Sequence, residues 1–553
     1  MRVLPRLATA VALCVLVRPC PAEVSLQDGA QAHLGTLTQG GLPGIAVLVA
    51  RDGKVVYQGG FGFADIENKT PVTPETKFRI GSISKQFTAA ALLRLADEGK
   101  LSLDDTLEKY FPDFPGASGI SLHQLLTHTS GIHSFTSKPE FLERVAKPVT
   151  PGEVIAFFRG DPPDFAPGKG FLYNNSGYFL AGEIAAKVSG RSLGAFLREA
   201  FFEPLGMKDT GIFENAAPPP GMARGYSMTE GKATPALDWD MSWAGGAGAL
   251  YSTVGDLFRW NEALFGGKVL KPESFAKMTT PAPLPPGAEM NYGYGLVVAT
   301  FNRLLPSIGH GGGLNGWSSD LLRLPDQKCT VVALANALPP VDGREPGSVT
   351  RQLATKTLEA EIKALPPLKE NPDVDPKSYP DLAGRYDYKK AVMTVTVENN
   401  RLYAQLTGQP KFEIFPSAPD EFFWKVTDAQ VKFLRDDSRA VIAARHTQGG
   451  NSFQAPRLKE ADVTLTDAEL DAILGTYQYG PAVLTVTRDG SSVFAQLTGQ
   501  EKYPIYAKSA TEFEWRVTPA SVVFVKDADG KVTKAVHTQA GKTFDAPKIP
   551  TAP

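Results

Sequence analysis

"RIGSISKQFTAAALLRLADEGKL", Arg79 to Leu101, reads as the end of a strand, a turn at Gly81 and then a helix. Apolar residues follow at helical spacing: Phe87, Ala91, Leu92 and Leu95. Inside that apolar first turn sits Lys85, three residues after Ser82. A buried, unpaired ammonium is costly, so this lysine needs either a partner or a chemical task. Ser82 falls at the helix N-terminus, where free amides and the helix dipole favour a developing anion. At i+3, Lys85 lies on the same face, within reach of the Ser82 hydroxyl. Desolvation should lower its pKa from the usual ~10.4 and make a general base accessible. Ser-x-x-Lys recurs at Ser274 and Lys277 in "PESFAKM", where the pattern reads as an exposed helix.

The chain has 553 residues, too many for one core, and suggests about three domains. Its formal net charge of −2 gives no basic surface for nucleic acid. Arg2 and Arg6 followed by the apolar run Leu7–Val17 resemble a secretory signal peptide, with cleavage expected after Ala22. That assigns residues 1–22 to the signal and the mature protein to the periplasm or the exterior. Arg18 and Pro19 stand where a lipid anchor on Cys20 would need small residues. Past the cleavage point only Cys329 remains, in the apolar strand "KCTVVALANA", and reads as a buried thiol. No second apolar run reaches membrane-spanning length.

Residues 23–363 mix strands and helices. "GIAVLVARDGKVVYQGGFGFAD" reads as a strand pair turning at Asp52-Gly53, and strands return in "YGYGLVVA", "GWSSDLLRLP" and "CTVVALANA". Strands at both ends with helices between predict an α+β domain: one antiparallel sheet with an inserted helical region. Residues 364–380 are rich in proline and charge and read as a linker. Beyond them the chain repeats itself. "LAGRYDY" at 382 matches "ILGTYQY" at 473, "YAQLTGQ" at 403 matches "FAQLTGQ" at 494, and "ARHTQGGNSFQAP" at 444 matches "AVHTQAGKTFDAP" at 535, always offset by 91. Alternating segments between these anchors predict two small antiparallel β-barrels, 381–458 and 459–553.

"FRIGSISKQFTAAALLRL" resembles the catalytic helix of the serine β-lactamases and penicillin-binding proteins. "LLTHTSG" at 125–131 is similar to the same family. Tyr173-Asn174-Asn175 resembles the Tyr-x-Asn element of class C members, and His310-Gly311-Gly312 resembles the third element, usually Lys-Thr-Gly. The resemblance implies Ser82 as acylated nucleophile, with Tyr173 and Lys85 sharing its proton and passing it to the leaving group. It implies that cationic neighbours favour a Tyr173 phenolate. Asn175 would donate to a substrate carbonyl. Glycines after His310, Gly312 among them, would let backbone approach the substrate as an added strand, and the N–H groups of Ser82 and Gly313 would form the oxyanion hole. No metal or other cofactor is implied. His128 and His133 read as structural, since no carboxylate falls at ligand spacing. "GRSLG" at 190–194 fits Gly-x-Ser-x-Gly, but a helix precedes it where that elbow needs a strand, so Ser192 reads as an N-cap.

His310 departs from the pattern, because a neutral imidazole binds a carboxylate poorly where lysine would stay charged. Histidine here, with two β-domains following, resembles the D-aminopeptidase branch. Two expectations attach to it: that it sets substrate choice, and that it titrates near neutral pH. Two function classes stay open. One is a secreted peptidase or esterase, or a weak β-lactamase, acting through an acyl-enzyme on a small peptide, amide or ester. The other is a penicillin-binding or sensor protein that acylates without turnover. Neither involves nucleic acid or a membrane span, and a homo-oligomer is compatible with both. The repeated turns "LTGQPKF" and "LTGQEKY", with Gln409 and Gln500, are candidate contact loops over the cleft.

Overall fold

The computed structural model describes residues 25–549 except 214–217, 230, 285–289, 303, 389–390, 408, 428, 437, 449–450, 459–464, 480–481, 499–501, 516–519, 528 and 540–541. The expected signal segment and Gln500 lie outside the described residues.

"IAVLVAR", Ile45–Arg51, explains the first domain. Six of its residues are buried, so both faces of the strand must be covered. It pairs antiparallel with Lys54–Phe61 on one side and Cys329–Ala335 on the other. Trp317–Leu324, Leu305–Leu314 and Val297–Phe301 continue outward to complete a six-stranded antiparallel sheet. The N-terminal hairpin thus joins strands from nearly three hundred residues later. Ile45, Val47 and Val49 face a layer made by helices Leu26–Gln39 and Pro346–Thr357. Ala46, Leu48 and Ala50 face the larger core holding the inserted helices. Cys329 is a buried thiol in this sheet, its pKa pushed up to about 11 by burial.

Helix Ser84–Asp97 lies in the middle of that larger core, with every residue from Ser84 to Leu93 buried. Most of its buried polar side-chain atoms find partners inside the protein, Gln86 Nε2 being left without one. Ser84 Oγ accepts from the Leu250 N–H at 3.1 Å, Gln86 Oε1 accepts from Trp260 Nε1 at 3.1 Å, and the Thr88 hydroxyl donates to Gly246 O at 2.7 Å. Helix Asn175–Ser189 packs beside it. Ser192 caps the short helix Leu193–Leu197, accepting from Ala195 N. The second Ser-x-x-Lys serine is buried rather than exposed: Ser274 donates to Asp97 Oδ1 at 2.6 Å, tying helix Pro272–Thr279 to the end of the central helix.

The repeats form two eight-stranded antiparallel units. Strands from Gly384–Asp387 to Asn451–Leu458 close into a barrel. Those from Gly475–Tyr479 to Lys542–Pro547 form a sheet whose ends meet at a bridge between Tyr477 and Lys548. A short helix stoppers each unit. Leu382 and Tyr379 enter the first core, and Ile473 and Leu470, their counterparts at offset 91, enter the second. Tyr386 and Tyr477 fasten the stoppers by donating to Leu382 O and Ile473 O at 2.7 and 2.6 Å. The stretch read as a linker therefore divides. From Asn371, whose N–H reaches Pro416 O, it belongs to the first barrel, because Val374 and Tyr379 are needed in its core. The turn holding Gln409 lines the mouth of its own barrel.

One close approach sets the position of the third motif. The backbone of Gly312 passes so near Ile80 that a Cβ there would sit 2.1 Å from the Ile80 carbonyl oxygen. A Cβ on Gly313 would meet nothing nearer than Leu338 at 3.5 Å. Gly312→Ala should thus cost about 1–3 kcal/mol of stability through overpacking. Gly313→Ala should stay within about 0.5 kcal/mol. Chemical denaturation of the two variants checks the contrast, and equal losses would refute it.

Candidate active site

The turn Gly81–Ile83 is a single 3-10 turn running into helix Ser84–Asp97, and Ser82 sits at its centre. Gly81 adopts φ +52°, a left-handed conformation, and a Cβ there would fall 2.8 Å from Gly313 N. The Gly313 nitrogen thus faces the turn that carries Ser82. Ser319 Oγ donates to Ile80 O at 2.8 Å and holds the turn against the sheet. Strand Val297–Phe301 pairs only with residues 305–309, so residues 310–314 present their outer edge without a paired strand there.

Lys85 is fully buried. Its Nζ lies 2.8 Å from Asn175 Oδ1, 2.9 Å from Ala247 O and 3.1 Å from Ser82 Oγ. No carboxylate pairs with it; burial alone drives its pKa well below the usual lysine value. The neutral amine has two N–H bonds and one lone pair. Asn175 Oδ1 and Ala247 O are pure acceptors and take the two N–H bonds. With those two positions filled, the third faces the Ser82 hydroxyl, which is where a neutral amine would carry its lone pair.

Asn175 is fixed in turn. Its Nδ2 donates to Thr136 Oγ1 at 2.9 Å and its backbone N–H to Ser134 Oγ at 3.2 Å, which orients Oδ1 toward the lysine. The loop 132–136 is stitched to the start of helix Asn175–Ser189 through Asn174 Nδ2 on Ile132 O and the Ser176 hydroxyl on His133 O. His133 also pairs with Asp164 at 2.8 Å, a carboxylate that sequence spacing did not indicate. Among the described residues no group of three His, Cys, Asp or Glu is arranged to hold a metal ion.

Tyr173 differs from expectation. Its hydroxyl is buried beside Ser82 with no hydrogen bond completed, and burial raises its pKa. The Lys85 amine sits 4.8 Å from the ring centroid, but burial outweighs any cationic help. The phenolate is disfavoured and the hydroxyl keeps its proton. His128, read as merely structural, forms the wall behind it. Its ring centroid lies 4.4 Å from that of Tyr173 and 4.6 Å from that of Tyr292, and its Nδ1 accepts from the Asn174 N–H. Buried next to Lys85 and His310, it is kept neutral.

His310 is also buried and neutral. Burial, the largest cause, pushes its pKa down to about 4, so it does not titrate near neutral pH as expected. Nδ1–H donates to Gly311 O, and Nε2 accepts from the Tyr292 hydroxyl at 2.9 Å. Both ring nitrogens are thereby used within the protein.

Ser82, Thr136, Asn175, Trp239, Gly313 and Leu314 surround a cavity of about 70 Å³. Trp239 is shared with a broader hollow of about 610 Å³, walled by Phe213, Trp317 and the Arg79–Asp238 pair at 2.7 Å. Sequence reading found Ser82, Lys85, Tyr173 and Asn175, which converge here. It missed Ala247 O, Thr136 and Trp239, because a backbone acceptor and loop side chains carry no motif.

A serine 3.1 Å from a buried lysine amine, beside a backbone N–H, is the arrangement of a serine hydrolase. The chain belongs to the beta-lactamase family, whose model matches residues 25–355; residues 368–454 match a domain of unknown function, DUF3471. It is 27% identical over 435 residues to penicillin-binding protein 4* of Bacillus subtilis, covering 75% of this chain and 94% of that one. It is 30% identical to a D-aminopeptidase of Gluconobacter oxydans over 305 residues, 53% of this chain and 56% of that one, so it spans little more than half of that relative. The structure of D-amino acid amidase from Ochrobactrum anthropi SV3, complexed with L-phenylalanine amide, superposes with a TM-score of 0.54 at 29% identity, over 61% of this chain and 99% of that one.

If Lys85 is neutral in the folded protein, folding expels a proton that the unfolded chain holds. The unfolded state then binds more protons, so stability rises with pH until the free lysine deprotonates near 10.5, and falls as pH drops toward the depressed folded pKa. Between about pH 7.5 and 9.5 the stability of wild type relative to Lys85→Met should climb by about 1.4 kcal/mol per pH unit. Parallel denaturation curves across that range measure it. A flat difference would mean the lysine is buried protonated.

Proposed function

We propose that this protein hydrolyses amide or ester bonds of small, uncharged-carboxyl substrates, in the manner of an aminopeptidase or amidase, through an acyl-enzyme on Ser82. The observation that carries this reading is the three-point setting of Lys85: its Nζ lies 2.8 Å from Asn175 Oδ1, 2.9 Å from Ala247 O and 3.1 Å from Ser82 Oγ, so that with the two acceptors met a neutral amine would turn its lone pair to the serine. In the first step the Ser82 proton passes to Lys85 Nζ while Oγ bonds to the substrate carbonyl carbon. The carbonyl oxygen becomes an anion between the N–H groups of Ser82 and Gly313. Tyr173 gives its proton to the departing nitrogen or oxygen, the C–N or C–O bond breaks, and the Lys85 ammonium returns a proton to Tyr173. Water then repeats the sequence on the Ser82 ester. Asn175, besides fixing Lys85, has an amide beside the cavity for the substrate carbonyl. The free edge at 310–314 suits a short extended substrate.

His310 supports the choice of substrate. A neutral ring with both nitrogens engaged offers no positive charge to a carboxylate, which disfavours β-lactams and C-terminal acids. The hollow beyond Trp239 has aromatic walls that suit an apolar side chain, while its Asp238 and Glu67 are already paired with Arg79 and Arg224. Similarity to the D-aminopeptidase and to the amidase points the same way. Likeness to penicillin-binding protein 4* over most of the chain keeps acylation without turnover as the second reading.

Fluorophosphonate treatment followed by intact-mass and peptide mapping should place one adduct on Ser82; an adduct on Ser192 or Ser274 would overturn the assignment. With a short-chain p-nitrophenyl ester, which has no group of its own titrating in this range, kcat/KM should rise with pH through the depressed lysine pKa and show no falling limb below about pH 10, since the Tyr173 acid stays protonated. A bell closing near neutrality would point to histidine instead. Turnover beyond one equivalent separates a hydrolase from a protein that only acylates.

Comparing Lys85→Ala, Tyr173→Phe and the double variant tests whether the two act as one proton-handling unit. The double variant should be about as impaired as the worse single one. If the two losses multiply, the residues act independently.

A further inference from the structure

The first barrel contains a cavity of about 740 Å³ that the hydrolase chemistry does not use. Eight-stranded barrels have an interior that large side chains fill, or that is left open for one small ligand. Here the two ends differ. Tyr379, Leu382 and Tyr386 fill the stoppered end. Tyr388 points inward two residues on, toward the other end, and there the interior residues turn small: Ala404 and Ala429 line the void.

The lining has a definite chemistry. Phe412, Trp424 and Phe453 supply aromatic surface, with Met393, Leu406 and Val426 beside them. No Asp, Glu, Lys or Arg reaches it among the described residues. Polar groups run as a chain along one side. The Tyr388 hydroxyl lies 3.2 Å from His446 Nδ1, His446 Nε2 lies 3.4 Å from Gln448 Oε1, and Gln448 Nε2 donates to Thr427 Oγ1 at 3.2 Å. The rim is apolar yet exposed: Val426 is 65% and Phe453 42% accessible. Aromatic walls, a short polar chain and an uncharged interior of this size are what a binding cavity for a neutral molecule has.

The second unit repeats the ring set at offset 91. Tyr479, Trp515, His537 and Phe544 stand where Tyr388, Trp424, His446 and Phe453 stand, and the Trp–His centroid separations are 5.0 and 5.4 Å.

We propose that the first C-terminal barrel is a binding site for an uncharged, largely aromatic small molecule bearing a hydrogen-bonding group. The body lies against Trp424, Phe412 and Phe453, and the polar group meets the Tyr388–His446–Gln448–Thr427 chain. The site is separate from Ser82, and its cavity is lined by residues of this barrel alone.

The full-length protein is titrated with N-phenyl-1-naphthylamine, a neutral aromatic amine whose fluorescence rises in apolar surroundings. Saturable enhancement is expected, with energy transfer from tryptophan. Ala404→Trp, which places an indole in the void, should weaken it about tenfold or more. Val426→Asp, at an exposed rim position that folding does not depend on, should weaken it about threefold or more by setting a charge at an apolar mouth. Protein already labelled on its reactive serine by fluorophosphonate should bind the probe as before. Absence of saturable enhancement overturns the proposal. So does enhancement that Val426→Asp leaves unchanged, or enhancement abolished by the fluorophosphonate, which would place the probe in the hydrolase cleft.

Discussion

Everything around Ser82 follows from keeping one lysine neutral in a dry interior. An amine with no carboxylate beside it stays buried only if its N–H bonds are met and its charge is given up. Asn175 and the Ala247 carbonyl meet them, and each is held by other elements: Asn175 by Thr136 and Ser134, Ala247 by the glycine-rich turn that packs on the central helix. The loop 132–136, the start of helix Asn175–Ser189 and the segment 245–248 thus form one clamp around a single nitrogen.

The same dryness acts on the neighbours. Tyr173, Tyr178 and Tyr292 have their phenols pushed up, while His128 and His310 are pushed down. Each of these groups is pushed toward its uncharged form, and burial pushes the lysine the same way. A carboxylate nearby would have restored the ammonium and removed the base. A charged His310 would face Lys85 across the same pocket and lower it further at a cost in stability. A neutral histidine at 310, with both ring nitrogens engaged, adds no buried charge to this pocket.

Legibility in the sequence followed the range of the interaction. Ser82 and Lys85 are one helical turn apart, so local periodicity placed them together and burial of Lys85 followed from its apolar neighbours. The repeat offset of 91 and strict alternation were enough for two β-units. Long-range features escaped. The stretch from 371 to 380 looks like a linker because proline and charge dominate it, yet Val374 and Tyr379 within it are apolar residues that enter the barrel core beside Leu382. His310 was expected to titrate because its burial depends on Tyr292 and Tyr173, which approach from other segments. Tyr173 was expected as a phenolate because a nearby cation was assumed, and the structure makes that cation a neutral amine.

Duplication at constant length shows what the barrels must conserve to stand alone. Tyr386 and Tyr477 both reach back four residues to a stopper carbonyl, and Leu382 and Ile473 both sit fully buried beneath them. Those pairs close one end of each barrel and supply its core. The other end has no such requirement, since strands closed into a barrel have no free edges to protect. Yet both copies keep a histidine among a tryptophan, a tyrosine and a phenylalanine there. A barrel that needed only to fold could fill that end with aliphatic side chains and leave no polar group to satisfy. A tyrosine–histidine hydrogen bond stands at that end in both copies, and in the first barrel it borders an interior that alanines leave open rather than filled, so these ends differ in chemistry from the stoppered ones.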